Sequence, residues 1–186
     1  MNPLASPALI VVDLQAVTLG NAKTITPDTL LSKVATLIAA FRSAGLPVVF
    51  AASTGTPPGR TGFAETGRAL TEEQAEIAPD VLPVGDELVV RRPAWSAFAG
   101  TELLDALRQN NVTTTVIVGM ATPFGIESTA RDAYDAGFSV VIPTDAIAAP
   151  DATAHEWTIT RVFPMLGATT LVAELVDAIH REEERK

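Results

Sequence analysis

The order in which apolar and amphipathic segments follow one another constrains this chain more than any other feature. Short apolar runs at residues 8–12, 48–51, 87–90, 114–118 and 139–142 alternate with stretches of helical periodicity at 27–44, 101–110, 123–136 and 152–163. A weaker sixth run lies at 168–170, and a last amphipathic stretch leads from Leu171 into the charged tail that begins at Arg181. Runs of this length suit strands, and their lack of polar alternation indicates burial on both faces. Strands buried on both faces and separated by helices make parallel crossovers. The expected architecture is α/β: a doubly wound, mostly parallel sheet of about six strands with helices on both faces, in three α/β/α layers. A length of 186 residues fits one domain spanning 1–186.

Charge and residue usage narrow the function. A net charge of -9, with basic residues scattered and not clustered, would repel a phosphate backbone, so neither nucleic acid nor an anionic membrane is expected as a partner. The chain has no apolar run of the roughly 18 residues that a membrane helix needs, and no Lys or Arg precedes Lys23 to start a signal peptide. A cytoplasmic location is the expectation. Cysteine is absent, which excludes disulfides, thiolate nucleophiles and cysteine-ligated zinc. With only His155 and His180 available, no metal centre is expected.

Doubly wound sheets bind ligands beyond the carboxyl ends of their strands. Three places meet that condition: Asp13 after the first run, Arg91 and Arg92 after the third, and the turn 119–125 after the fourth. A carboxylate such as Asp13, set against an apolar core, must be paired or shift its pKa, and it serves either as a functional group or as a loop cap. Thr26 before Pro27 and Thr122 before Pro123 both read as N-caps with proline in the first turn. Residues 53–85 are rich in Gly, Pro and Thr, hold at most a short helix near 71–78, and are too long for a plain connection. They suit a pocket lid or an oligomer contact.

No G-x-G-x-x-G, G-x-S-x-G or H-E-x-x-H occurs, and the glycine spacing around Gly55 and Gly59 does not make a phosphate loop. Two segments carry a resemblance instead. Arg92-Pro-Ala-Trp-Ser96-Ala97-Phe98 and Gly119-Met-Ala121-Thr122-Pro-Phe-Gly125-Ile-Glu127-Ser128-Thr129, together with Val12-Asp13-Leu-Gln15 and Asp145-Ala146, make the chain resemble the isochorismatase-like hydrolases, also called the cysteine hydrolase family. The similarity runs over nearly the whole chain.

That resemblance implies a catalytic triad of aspartate, lysine and cysteine. Asp13 matches the first, whereas Arg92 stands at the lysine position and Gly125 at the cysteine position. It also implies a cis peptide at Met120-Ala121, a site without a cofactor, and association into a homodimer or larger homo-oligomer. A glycine offers only its backbone N–H and space, so covalent acyl-enzyme chemistry is closed at this position. The resemblance therefore points to a hydrolase acting on a small carboxylate-bearing substrate without a protein nucleophile, as in hydrolysis of a vinyl ether. Asp13 would be the general acid and Gly125 would give room to substrate or water. A non-catalytic relative that binds a small molecule or serves as an oligomeric partner is the alternative, and amide hydrolysis by water that Asp13 activates is a third reading.

Arg92 has two readings, a bidentate grip on a substrate carboxylate or a salt bridge to Asp13. Gln15, Arg60, Met120, Ala121, Thr122 and Phe124 are the candidate substrate contacts, with Arg68 beside Arg60 on the lid segment. By composition alone Trp95, Phe98, Phe124 and Trp157 read more readily as core than as pocket wall. Glu127 and Arg131 are spaced as a helical ion pair, and His155 reads as a structural hydrogen-bonding residue.

Overall fold

A computed structural model describes residues 4–62 and 66–184. Phe63, Ala64 and Glu65 of the 53–85 segment, and Arg185 and Lys186 of the charged tail, lie outside the described residues.

Among the described residues there are seven strands: β1 (Pro7–Val12), β2 (Val48–Ser53), β3 (Leu88–Arg92), β4 (Thr114–Met120), β5 (Ser139–Pro143), β6 (Ile147–Ala148) and β7 (Ala168–Thr170). They form one sheet in the order β3-β2-β1-β4-β5-β7, with the short β6 pairing with β4, and every strand pairing in it is parallel. The helices are α1 (Ala16–Leu19), α2 (Pro27–Ser43), α3 (Glu72–Ala75), α4 (Leu103–Gln109), α5 (Glu127–Asp135), α6 (Ala152–Trp157), α7 (Phe163–Leu166) and α8 (Val172–Glu183). The doubly wound expectation holds, with β6 as a strand that sequence periodicity did not reveal because it has only two residues.

Side chains of β1 show how the layers are held apart. Leu9 and Val11 pack into one core with Leu30, Leu37 and Phe41 of α2 and Leu175 and Ile179 of α8. Ala8, Ile10 and Val12 pack into the other with Leu103 and Leu107 of α4 and Ala130 and Ala133 of α5. The period-two alternation of a strand thus feeds two cores, which is why β1 has no polar residue in its six positions. Each of these aliphatic side chains larger than alanine contributes about 1.5–3 kcal/mol by leaving water.

Local boundaries differ from the sequence reading in three places. β3 begins and ends later than the apolar run suggests, so Arg91 and Arg92 are its last residues and fall on opposite faces: Arg91 is exposed and Arg92 is buried. The helix expected over 123–136 is preceded by a wide π-turn at Thr122–Ile126. That over 152–163 is divided among α6, a π-turn at Thr158–Val162, and α7, which begins at Phe163. The Thr26 cap forms as expected, its hydroxyl accepting the Thr29 N–H. Thr122 does not act as a cap: its hydroxyl donates to the Ala148 carbonyl at 3.1 Å and lies 2.8 Å from His155 Nδ1.

The strand order reverses direction at β1 and β4, where chain connections leave to opposite sides and open a crevice at the carboxyl edge. Registry brings the ends level, since Val12 faces Ala51 on one side and Gly119 on the other. Asp13 and the turn after Met120 therefore emerge side by side.

Candidate active site

Asp13 follows the last residue of β1 and takes a left-handed backbone conformation, φ 50°, one that Asp tolerates better than most residues. Its N–H donates to the Ala51 carbonyl at 2.8 Å and its own carbonyl accepts the Thr18 hydroxyl. These bonds fix the turn into α1. The carboxyl is left at the sheet edge, 8% exposed.

Arg92 meets it from β3, two strands away. Its Nη1 donates to Oδ1 at 2.6 Å and its Nη2 to Oδ2 at 2.9 Å, a bidentate fork. Nη2 also donates to the Trp95 carbonyl at 3.0 Å and Nε to the Ser96 carbonyl at 3.3 Å. At 1% exposure the guanidinium is enclosed, so of its two readings the geometry takes the salt bridge to Asp13 and not the direct grip on a substrate. Burial pushes the Asp13 carboxyl above its ordinary range, and the Arg92 fork pulls it back only in part.

Above this pair opens a cavity of about 410 Å³. Asp13, Met120, Ala121 and Gly125 line its inner end, and Trp95 and Phe124 line it nearer solvent, being 58% and 40% exposed. Those two rings lie 5.0 Å apart between centroids and are tilted by 47°. Among the described lining residues, Asp13 and Arg68 are the charged ones. The peptide Met120-Ala121 is cis, as the resemblance implied.

Gly125 lies in the π-turn and is packed tightly. A Cβ built on it would stand 2.9 Å from the Met120 carbonyl oxygen, 3.2 Å from Val12 Cγ1 and 3.4 Å from Asp13 Oδ2. The position therefore brings the backbone against Asp13, and the open space belongs to the cavity beyond it. A side chain here would have to displace main-chain atoms.

Met120, Ala121, Phe124, Gly125 and Asp13 are thus brought together, and three expected contacts are not. Gln15 is fully buried: its Oε1 accepts the Ser53 N–H at 2.8 Å, and its Nε2 donates to the carbonyls of Ser53 at 3.0 Å and Ala75 at 2.8 Å. It is a clip between strand ends and the lid segment, with no polar atom left for a ligand. Thr122 is likewise buried, with its hydroxyl committed to Ala148 and His155. Arg60 is exposed and does not line the cavity, and Arg68 does so in its place.

Trp95 is the residue whose reading changes most. Expected in the core, it stands at the cavity mouth because Arg92 holds its carbonyl inward and leaves the ring outside. Trp157 is also exposed, at 62%, while Phe98 stacks on Phe138. The Glu127–Arg131 pair forms at 2.8 Å, and the other carboxylate oxygen of Glu127 accepts the Thr158 hydroxyl. Among the described residues no group of three His, Asp or Glu side chains is placed to hold a metal ion, and no helix is long and apolar enough to cross a membrane.

Comparison with known proteins agrees with this geometry. Residues 7–174 match the isochorismatase domain family. Isochorismatase family protein YecD of Escherichia coli O157:H7 is 32% identical over 187 residues, covering 92% of this chain and 95% of that one. Nicotinamidase 3 of Arabidopsis thaliana is 31% identical over 159 residues, covering 82% and 78%. Among solved structures, an isochorismatase family protein from Burkholderia thailandensis superposes with a TM-score of 0.90 at 30% identity, covering 97% of both chains.

Proposed function

The chain belongs to the isochorismatase family, and on that premise we propose that it is a hydrolase of small carboxylate-bearing substrates that works without a covalent protein nucleophile. The observation that carries the reading is the placement of one buried carboxyl, Asp13, on the wall of a cavity whose neighbouring turn holds Gly125 where a nucleophile would stand.

In vinyl ether hydrolysis, Asp13 protonates the enol carbon, which leaves an oxocarbenium ion. Water adds to that ion and gives a proton back to the carboxylate. The resulting hemiketal breaks its C–O bond, releasing an alcohol and a ketone. An ionised carboxylate has about four acceptor positions, and Arg92 occupies two, so Asp13 keeps capacity to carry a proton toward the cavity. A carboxyl pushed above its ordinary range by burial is a better proton reservoir near neutral pH, and Arg92 moderates the shift while locking the rotamer. Nicotinamidase 3 is named for an amidase activity, but Gly125 supplies no thiol or hydroxyl to form an acyl-enzyme here.

The direct, enclosed fork between Arg92 and Asp13 favours a second reading, a relative that binds the same class of ligand without turning it over. Purified protein offered isochorismate and a panel of small amides, with Asp13→Asn in parallel, separates the two. Turnover of the vinyl ether that falls at least about a hundredfold in Asp13→Asn supports the hydrolase, in line with the usual worth of a general acid. Binding without turnover in either protein supports the second reading.

A further inference from the structure

We infer that Arg68 is the residue that selects the ligand's charge, gripping a carboxylate at the cavity mouth while the Trp95–Phe124 pair packs against an unsaturated ring. The inference rests on the proposed class of substrate and assigns its recognition to named side chains.

Three observations converge on it. The first is electrostatic. Asp13 and Arg68 are the charged residues lining the cavity, and the Asp13 charge is already matched by the enclosed Arg92 fork. What remains to meet an incoming molecule is the positive charge of Arg68, on an otherwise largely apolar wall. Such a site attracts an anion and gains little from a neutral amide.

The second is the way Arg68 is held. Segments 54–56 and 67–70 run antiparallel as a small ribbon: the Thr56 N–H donates to the Arg68 carbonyl at 3.0 Å and the Leu70 N–H to the Thr54 carbonyl at 2.9 Å. The Thr56 hydroxyl accepts the N–H groups of Gly67 at 2.9 Å and Arg68 at 3.2 Å. The ribbon closes only because Gly55 has no side chain, since a Cβ there would stand 2.1 Å from the Arg68 carbonyl oxygen. The Arg68 backbone is therefore fixed on both of its polar atoms, and its side chain makes no ion pair within the described residues. A cation positioned this way, and left for a ligand, is unlike the Arg42 and Arg131 guanidinia, which are paired with Glu87 and Glu127.

The third is the exposed aromatic pair. Large apolar side chains left open beside a cavity mark a contact surface, and rings tilted to one another at 5.0 Å offer a face and an edge to a planar group. A ligand bridging this platform and Arg68 would direct its remaining end to Asp13 and Gly125.

Benzoate and benzamide, which share shape and differ in charge, test the assignment by calorimetry or ligand-observed NMR with the full chain. Benzoate is expected to bind about tenfold or more tightly than benzamide, as a charge-assisted contact should provide. That ratio should collapse toward one in Arg68→Gln, survive in part in Arg68→Lys, and stay unchanged in Arg60→Gln. Equal binding of the two probes, binding of neither, an undiminished ratio in Arg68→Gln, or an equal loss in Arg60→Gln overturns the inference. Because binding is read and not turnover, the outcome stands apart from the isochorismate assay: an inactive protein that prefers benzoate retains the inference and loses the hydrolase reading.

Discussion

Asp13 and Arg92 sit 79 positions apart in the chain and meet in an interior where neither charge would persist alone. Removing one partner of such a pair costs more than removing both, because the survivor is left desolvated without compensation. Arg92→Met is accordingly expected to destabilise the fold by about 3–5 kcal/mol, and the double variant Arg92→Met/Asp13→Asn to recover part of that loss. Urea denaturation of the two single variants and the double variant measures the coupling directly. If the double variant is no more stable than Arg92→Met, the pair does not hold the charge as described. The same bonds give Arg92 a second consequence, since its hold on the Trp95 and Ser96 carbonyls sets the loop that presents the Trp95 ring.

At the scale of elements, the Gln15 side chain pins the start of the lid segment to the sheet, while further along the Ala78 N–H donates to the Leu14 carbonyl at 2.9 Å and Val81 is buried in the core. Gln15 joins the end of β2, through Ser53, to the last residue of α3, Ala75, and its own N–H is bonded by the Thr18 hydroxyl oxygen. The four-residue α3 is too short to be stable by itself, so its place depends on this clip, on its contact with α1 and on its Thr71–Gln74 capping box. Gln15→Leu keeps the volume and strands two half-buried carbonyls and one N–H, with a summed cost of about 1–3 kcal/mol because water reaches them in part. Amide hydrogen exchange is expected to accelerate across α3 and the end of β2 while β4 and α5 stay protected. Uniform exchange across all of these elements would show that the lid is held by other contacts.

Across the whole molecule, acid should loosen the fold in two stages. Burial pushes His155 below its ordinary value of 6.5, with Glu156 opposing, so its contribution is complete above that value and is lost as pH falls through the lower folded pKa. Burial works to raise Glu87, but the Arg42 fork and the Val84 N–H prevail and hold it below the ordinary 4.5, so its contribution too is lost on acidification, in a lower range. Asp13, raised by burial, acts in the opposite sense: its contribution is present at low pH and is lost as pH rises through its folded value. Thermal melts across the acid range should show Tm falling first near the histidine range and again in the carboxylate range. His155→Gln is expected to flatten the first fall, and Glu87→Gln the second, and an unaltered profile in both would refute the assignment. The alternation of apolar runs and amphipathic stretches was sufficient to determine the sheet's class and parallel sense, because burying a strand on both faces demands an apolar side chain at every position, and that demand is written locally. The edge where a ligand would lie, and Asp13 upon it, were equally legible from strand ends and family motif. What only the tertiary structure decided is which polar atoms were already spent: Gln15 and Thr122 by backbone groups, Arg92 by Asp13, with Arg68 and not Arg60 left facing the cavity. Hydrogen bonds join atoms near in space and far in sequence, so no local pattern records whether a donor is free.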